Sequence, residues 1–364
     1  MAPEARGPAP RPGILAITPY VGGLAAVPGG APVAKLSSNE SPLGASPAAL
    51  AAYHAAAATL HRYPDGGAAR LRACLGEVHD LDPARLVCGD GSDELLGLLA
   101  RAYAGPGDEV LYSAHGFLVY AIAARAVGAT PVAVPERALT ADVDAILARV
   151  GPRTRIVFLA NPNNPTGSYL PAAEVTRLAD ALPPEVLLVL DAAYAEYVGA
   201  ADYAPGAELA AERPNVVMTR TFSKIYGLAS LRLGWALCPP AVADVLNRIR
   251  APFNVTGPAL AAGEAALADG DHVQRARAHN DRWRPWFTEA LGALGLTVHP
   301  SAGNFVLVQF ASPHDAAAAN AFLLQNGVIP RTMEAYGLAD CLRITIGLEG
   351  ELRACLDALT RLSA

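Results

Sequence analysis

The chain has 364 residues, of which 52% are hydrophobic, and its formal net charge is −6. This length exceeds one ordinary domain, so we expect two domains and a large buried core. The negative charge, with no block of basic residues and no alternation of basic and aromatic residues, argues against a nucleic-acid-binding protein. Five scattered cysteines without a Cys-x-x-Cys pair predict free thiols rather than a disulfide or zinc framework.

The start of the sequence lacks the apolar core of a signal peptide, and no apolar run reaches the ~18 residues of a membrane helix. The eight histidines show no spacing typical of metal ligands. We therefore expect a cytoplasmic protein that holds no metal, acts on small molecules and binds neither nucleic acid nor membranes.

Taken in chain order, residues 1–34 predict a proline-rich arm with one short apolar stretch at 14–17. From about residue 85, short apolar runs alternate with helical stretches, and we assign residues 35–250 to a large domain. Continuous apolar strands that alternate with helices are typical of a mostly parallel sheet covered on both faces, so the fold class is α/β. The predicted strands lie at 86–88, 110–112, 132–134, 156–159, 186–190, 216–218 and 235–237.

Residues 251–364 predict a smaller α+β domain. A long helical stretch runs from about Ala259 to Leu294, and a final helix begins at Glu349. Between them lie strands at 305–308 and 342–346 and a helix near 315–325. We expect the arm to pack beside this domain or on a neighbouring subunit.

Polar groups follow three of the predicted strands. Asn164 comes after the strand at 156–159, Asp191 ends the strand at 186–190, and Lys224 lies just beyond the strand at 216–218. The carboxyl ends of parallel strands are where α/β sheets place their ligand sites. A lysine and an aspartate on neighbouring strand ends suit pyridoxal 5′-phosphate (PLP), which needs an amine for its aldehyde and a carboxylate for its ring nitrogen.

A phosphate site is predicted where Gly91-Ser92-Asp93 opens a helix directly after a strand. Exposed amides and the positive end of the helix dipole bind phosphate there, although Ser92 or Asp93 is equally suited to cap the helix. Ser223 and Arg232 are suited to the same phosphate, because a guanidinium matches phosphate oxygens. Phe117 is suited either to stack on the cofactor ring or to an ordinary core position.

These motifs together resemble the fold-type I PLP-dependent aminotransferases. The resemblance rests on Asn-Pro-x-Asn-Pro-Thr-Gly at 161–167, Asp-x-x-Tyr at 191–194 and Ser-Lys-x-Tyr-Gly-Leu at 223–228. It extends from about residue 11 to the C-terminus, and within this group the chain looks most like the histidinol-phosphate aminotransferases. The resemblance implies a seven-stranded, mostly parallel sheet sandwiched by helices in the large domain.

The resemblance also implies roles for individual residues. Lys224 would be the catalytic lysine that binds PLP covalently, and Tyr63 would reach across a homodimer interface to the PLP phosphate of the other subunit. The remaining cofactor-binding residues would be Ser92, Asp93, Phe117, Asn164, Asp191, Tyr194, Ser223 and Arg232. Substrate would contact Tyr20, Asn39, Arg331 and Arg343.

The implied reaction converts histidinol phosphate and 2-oxoglutarate into imidazole acetol phosphate and glutamate, within histidine biosynthesis. An aromatic or broad-specificity aminotransferase and a threonine-phosphate decarboxylase remain alternatives. A non-enzymatic PLP-binding regulator is disfavoured, because the arm does not resemble a DNA-binding segment.

Four positions depart from the usual pattern of the family. Asp90 replaces an asparagine, Ser41 replaces another asparagine, Ser230 replaces a glycine, and Phe253 stands where some relatives have a tyrosine. A carboxylate beside a phosphate is unfavourable, so we expect Asp90 to point away from the site. These departures leave the substrate more open than the cofactor.

Overall fold

The computed structural model describes residues 8–27 and 34–363. The strands of these residues are β1 (Ala34–Lys35), β2 (Leu86–Asp90), β3 (Glu109–Ser113), β4 (Thr130–Val134), β5 (Glu136–Arg137), β6 (Thr140–Ala141), β7 (Thr154–Ala160), β8 (Leu187–Asp191), β9 (Val216–Thr221), β10 (Leu233–Leu237), β11 (Thr297–His299), β12 (Phe305–Gln309), β13 (Val328–Ile329), β14 (Arg331–Thr332) and β15 (Cys341–Thr345).

The α-helices of the same residues are α1 (Pro47–Ala56), α2 (Ala69–His79), α3 (Gly91–Tyr103), α4 (Val119–Ala126), α5 (Val143–Arg149), α6 (Ala172–Ala181), α7 (Ala207–Glu212), α8 (Pro240–Ile249), α9 (Gly257–Ala268), α10 (Gly270–Ala293), α11 (Pro313–Gln325) and α12 (Glu349–Ser363). Several begin with a side-chain cap: Ser46 accepts the N–H of Ala49 before α1, and Thr256 accepts the N–H of Ala259 before α9. Such caps satisfy amides that have no partner inside the helix.

A seven-stranded sheet organises the larger part of the molecule, in the order β2-β10-β9-β8-β7-β3-β4. β10 is antiparallel to both neighbours, and the remaining pairs are parallel. The sheet is apolar on both faces, since Val157 and Leu159 pack into one core and Ile156 and Phe158 into the other. Helices cover both faces, which confirms the predicted α/β architecture.

The smaller unit is built on the antiparallel sheet β11-β12-β15-β14. Its core packs this sheet against α10, α11 and α12. The first strand of the chain also belongs here, because β1 pairs with β13. The connection from β1 to α1 therefore passes from the smaller unit to the larger one, directly along the end of the large sheet where the polar strand ends lie.

The helical stretch predicted from Ala259 to Leu294 is two helices, because Asp269 ends α9 and its side chain caps α10. Ala259 and Leu260 of α9 lie in the core beneath the large sheet. This packing places α9 against the core of the larger unit. The domain boundaries themselves stay a prediction.

The described part of the arm lies against both units. Arg11 donates to the carbonyl of Ala126 at 2.6 Å, at the end of α4. Further on, the carbonyl of Val21 accepts from Nη2 of Arg331 at 2.5 Å. These contacts bring the arm over the end of the large sheet.

Candidate active site

A cavity of about 280 Å³ lies at the carboxyl ends of β7, β8 and β9, between the two units. Every site residue predicted from the sequence lines it, except Tyr63. The predicted residues that line it are Tyr20, Asn39, Ser92, Asp93, Phe117, Asn164, Asp191, Tyr194, Ser223, Lys224, Arg232, Arg331 and Arg343. The fold therefore brings together side chains that are up to 323 positions apart, from Tyr20 to Arg343 (343 − 20).

Asp191, the last residue of β8, presents a buried carboxylate to this cavity. Tyr120 donates its hydroxyl to Oδ2 of Asp191 at 2.8 Å, and Thr219 lies 3.4 Å from Oδ1. Burial raises the pKa of Asp191 to about 6, against the opposing effect of the Tyr120 hydrogen bond. Among the described residues its hydrogen-bond partners are hydroxyls and the N–H of Ala193 rather than a cation. The site therefore favours a cationic N–H from a ligand.

Arg343, on β15, is a buried cation on the other side of the cavity. Its Nη1 donates to the side-chain oxygen of Asn164, and its Nη2 donates to the carbonyl of Ser37 at 2.8 Å. Within residues 8–27 and 34–363, its buried Nε has no hydrogen-bond partner. Burial lowers the pKa of Arg343, and no carboxylate of the described part of the chain offsets the loss of water. A buried guanidinium in this state favours an anionic ligand.

Lys224 follows β9 and lines the same cavity as these two groups. Its Nζ donates to the carbonyl of Ser38 at 3.2 Å and lies 5.6 Å from the ring centroid of Tyr194. The amine is therefore held at the cavity wall by one weak neutral contact. That leaves it able to react with a bound carbonyl compound.

The predicted phosphate site forms where α3 begins. Arg232 donates from Nη1 to the Ser223 hydroxyl at 3.3 Å, and its Nη2 contacts the Asp93 carboxylate at 3.2 Å. Gly91 has a φ of +75°, and a Cβ there would clash with the Arg232 guanidinium. Gly234 of β10 lies equally close to the start of α3, because an added Cβ would lie 2.6 Å from the carbonyl carbon of Gly91. Amides, hydroxyl and guanidinium thus converge on one anion-binding cradle, in which the Asp93 carboxylate is offset by its ion pair with Arg232.

Tyr194 follows β8 and is anchored by the segment after β1. Nδ2 of Asn39 donates to the Tyr194 hydroxyl at 2.9 Å. Asn39 is itself held by Thr345 of β15, whose hydroxyl accepts the backbone N–H of Asn39 at 2.9 Å and lies 3.2 Å from Oδ1. Asn39 lines the cavity as predicted, yet its side-chain amide already has partners on both sides.

The outer rim of the cavity is aromatic and cationic. Tyr20 meets Phe117 edge to face, with ring centroids 6.3 Å apart, and the Arg331 guanidinium lies 6.0 Å from the Tyr20 ring. Tyr20 is half exposed. Tyr20 of the arm therefore contacts both Phe117 of the larger unit and Arg331 of the smaller one.

Tyr63 lies outside the cavity and stacks on Phe253, with ring centroids 4.6 Å apart. Its side chain is 82% exposed. Its predicted role toward the other subunit's cofactor stays a prediction. Asp90 is also exposed and does not line the cavity, in agreement with its expected outward orientation.

Sequence reasoning missed two buried residues of this site, Tyr120 and Thr345. Tyr120 lies three residues after Phe117, so helical spacing could have placed both near one strand end. Thr345 lies two residues after Arg343, and strand alternation puts both on the same face. These signals give the direction of each side chain but do not identify its partner.

The cavity fits PLP on grounds of its own chemistry. Asp191 lacks a cation and suits a protonated ring nitrogen, the cradle at α3 suits the phosphate, and Lys224 suits the aldehyde. Within the described ranges, no cluster of three or more metal-ligating side chains is present and no helix is long and apolar enough to cross a membrane.

Comparisons with known proteins agree with this geometry. Residues 31–359 match the family model of aminotransferase class I and II. The chain is 62% identical to histidinol-phosphate aminotransferase of Rhodospirillum centenum, over 97% of this chain and 98% of that protein. It is 60% identical to the enzyme of the same name from Paramagnetospirillum magneticum, again over 97% and 98%.

A solved structure shows the same fold. The histidinol-phosphate aminotransferase of Sinorhizobium meliloti, in complex with pyridoxal-5′-phosphate, superposes with a TM-score of 0.92 at 32% identity. The match covers 99% of this chain and 98% of that one. Because the family model spans nearly the whole sequence and the site contains the expected groups, the chain belongs to the class I and II aminotransferases.

Proposed function

We propose that this aminotransferase transfers an amino group from histidinol phosphate to 2-oxoglutarate, with PLP as cofactor. The observation that carries the proposal is the pair of buried, uncompensated charges that line the same cavity as Lys224. Asp191 has no cationic partner among the described residues, and Arg343 has no anionic one. A ligand that carries both a protonated ring nitrogen and a substrate anion satisfies both groups at once.

When bound, PLP supplies an aldehyde that captures the amino group and a ring that withdraws electrons from the substrate carbon. Asp191 holds a proton at the ring nitrogen. Asn164 and Tyr194 bind the ring oxygen, and the cradle of Ser92, Ser223 and Arg232 holds the phosphate. Two different half-reactions then share one cavity, so we expect ping-pong kinetics.

Lys224 is proposed to act as both nucleophile and base. Its amine would hold the aldehyde of the cofactor covalently, and in its free form it would accept the proton from the substrate's reacting carbon. Asp191 and Arg343 would hold the ligand in the cavity that Lys224 lines, which keeps the amine and the reacting carbon close together.

Arg343 is proposed to bind the carboxylate of 2-oxoglutarate or glutamate in one half-reaction and the phosphate of histidinol phosphate in the other. A guanidinium donates to either anion in the same planar geometry. Arg331, at the rim beside Tyr20, supplies a second cation. Support for histidinol phosphate as the donor comes from two relatives named histidinol-phosphate aminotransferase, which match this chain over nearly their whole length.

A homodimer with shared sites is part of the proposal. Tyr63 and Phe253 are large, exposed side chains whose rings stack on each other. Leu60, three residues before Tyr63 in the sequence, is also exposed. Exposed apolar clusters of this kind mark protein interfaces. A second copy that covers them would bring Tyr63 to the neighbouring cavity. The cytoplasmic location and the place in histidine biosynthesis belong to the same proposal.

The test is a spectral titration of the purified protein reconstituted with PLP. We expect a visible absorbance band that histidinol phosphate shifts to shorter wavelength and that 2-oxoglutarate restores. Lys224→Ala should lower turnover by at least ~10²–10⁴-fold, because the base is lost. A Lys224→Ala protein that turned over at the wild-type rate would overturn the proposal.

The same titration separates the alternatives. A visible band that ignores histidinol phosphate but responds to aromatic amino acids would replace the substrate and keep the cofactor. Release of carbon dioxide from threonine phosphate would replace transamination with decarboxylation.

A further inference from the structure

A chain of three buried side chains connects the smaller unit to the cavity. Thr345 lies on β15, Asn39 lies in the segment after β1, and Tyr194 follows β8 of the large sheet. Each of the three side chains is buried. For each hydrogen bond between them, the chemistry of the two groups indicates which one donates and which one accepts.

The direction begins at a group that can only donate. The backbone N–H of Asn39 donates to Oγ1 of Thr345 at 2.9 Å, so this hydroxyl uses a lone pair there. Its own single proton is then directed to Oδ1 of Asn39, 3.2 Å away, which can only accept. This pairing of Thr345 with Oδ1 supports the amide orientation in which Nδ2 faces Tyr194.

The orientation of the Asn39 amide decides which of its atoms faces Tyr194. With Oδ1 turned toward Thr345, Asn39 presents Nδ2 to the Tyr194 hydroxyl at 2.9 Å. An amide nitrogen only donates, so the Tyr194 oxygen accepts and its proton must point elsewhere. Since Tyr194 lines the cavity, the proton is available to an acceptor bound there.

The middle of the chain is held rigidly. Asn39 has a φ of +56°, in the left-handed region. Nδ2 of Asn304 donates to the Asn39 carbonyl at 3.0 Å, and Asn39 is buried. Both its backbone and its side chain are thus fixed by neighbours, which is what a relay of proton positions requires.

We propose that Thr345 is a positioning residue that, through Asn39, turns the Tyr194 hydroxyl proton toward the ring oxygen of bound PLP. This inference rests on the proposed function, because it requires that oxygen as the acceptor. Thr345 and Asn39 do not react themselves. They determine whether Tyr194 donates to the cofactor or competes with it for a donor.

The hydrogen-bonded set of Thr345, Asn39 and Tyr194, here called the relay, has a spectroscopic consequence. A hydrogen bond donated to the ring oxygen draws charge from it and weakens its hold on a proton shared with the nitrogen contributed by Lys224. The relay therefore lowers the pH midpoint at which the visible absorbance of the holoenzyme changes. Without it we expect the midpoint to rise by ~0.5–1 pH unit, the range that one neutral hydrogen bond supports.

The first experiment compares Thr345→Val with Thr345→Ser in PLP-saturated protein. Valine keeps the shape of the side chain but removes the hydroxyl, so the midpoint should rise, and serine should restore the wild-type value. Asn39→Asp provides a second route if the valine variant folds poorly. It replaces the donor Nδ2 with an acceptor that captures the Tyr194 proton, and it should raise the midpoint at least as much.

A double-mutant cycle separates the relay from general loosening of β15, on which Arg343 also lies. In a Tyr194→Phe background, Thr345→Val should add no further shift, because the proton it directs is gone. The KM for 2-oxoglutarate should change less than the midpoint does.

The outcomes distinguish this inference from the function on which it rests. A wild-type protein that shows no visible band with PLP overturns the proposed function and the relay together. A wild-type band whose midpoint is the same in Thr345→Val, or an equal shift in both Tyr194 backgrounds, overturns the relay alone.

Discussion

A single carboxylate, that of Asp191, shows how the site is prepared for its cofactor. In the cofactor-free protein, burial raises its pKa to about 6 from the ordinary value of 3.8. The folded protein therefore binds this proton more tightly than the unfolded chain does. The associated stability is complete below about pH 3.8 and is lost as the pH rises through about 6.

This sign gives a prediction for Asp191→Asn without cofactor. Asparagine does not ionise, so the variant does not lose free energy of unfolding as the pH rises. Its free energy of unfolding relative to wild type should therefore increase between pH 4 and pH 7, by at most roughly 2–3 kcal/mol. Thermal unfolding across this pH range measures the difference. With PLP the order should reverse, because only the carboxylate pairs with a ring cation. A constant difference at all pH values would show that Asp191 is not the titrating group.

At the residue scale, the sequence was sufficient to predict site residues whose position depends only on the strand that precedes them. Asn164, Asp191 and Lys224 each follow a run of apolar residues, and such runs place their last residues at a sheet edge. The hydroxyl of Tyr120 is paired with a carboxylate 71 positions away, and Thr345 contacts Asn39 at a separation of 306. The periodicity of the sequence does not predict such long-range hydrogen bonds, because they depend on how helices and strands pack in the folded protein.

Among the elements, the approach of β10 to the start of α3 does most to shape the phosphate cradle. Gly234 permits this approach, since an added Cβ would meet backbone atoms of Gly91 and Ser92. Backbone cannot rotate away as a flexible side chain can. The single antiparallel strand of the large sheet therefore helps to position the amides that we propose for phosphate binding.

We expect Gly234→Ala to destabilise the protein by ~1–3 kcal/mol and to weaken PLP binding, because α3 must shift. Gly97→Ala is the matched control on α3 itself, where an added Cβ meets no atom within 4 Å. That change should be neutral or stabilise by up to ~1 kcal/mol. Chemical unfolding and cofactor titration of both variants test the contrast, and equal effects would contradict it.

Elements were predictable where burial and periodicity agree. The seven strands of the large sheet were all anticipated, because each contains a short run of apolar residues. Most of these runs are buried on both faces, whereas the edge strand β4 is partly exposed. The break between α9 and α10 was not, although Asp269 and Gly270 mark it in the sequence. Helical periodicity continues across that break, so the capping residues were the only local signal.

Considered as a whole, the molecule completes its site only where two units and the arm meet. The smaller unit contributes Arg343 and Thr345, the larger one Lys224 and Asp191, and the arm Tyr20. Tyr63 is the exception, because it points outward beside Phe253. If the proposed dimer forms, each site also depends on a second copy of the chain.

Mixing two inactive variants tests this dependence. A Lys224→Ala chain lacks the reactive amine, and a Tyr63→Ala chain lacks the group proposed to serve its neighbour. Their mixed dimer contains one site with both groups intact, so random reassociation should restore about a quarter of wild-type activity. Mixing Lys224→Ala with Asp191→Asn is the control, and it should restore none if only Tyr63 is shared. Failure of the first mixture would remove the argument for shared sites.

The pairing of β1 with β13 has a consequence for how the protein is made. The strand at 34–35 leaves the ribosome early, but its partner at 328–329 follows almost 300 residues later. Asn39 and Tyr194 must likewise wait for Thr345. The large sheet can form during synthesis, whereas the catalytic cavity closes only when the last fifth of the chain has emerged. An interrupted polypeptide would therefore be folded in part and unable to bind its substrate, which ties activity to completed translation.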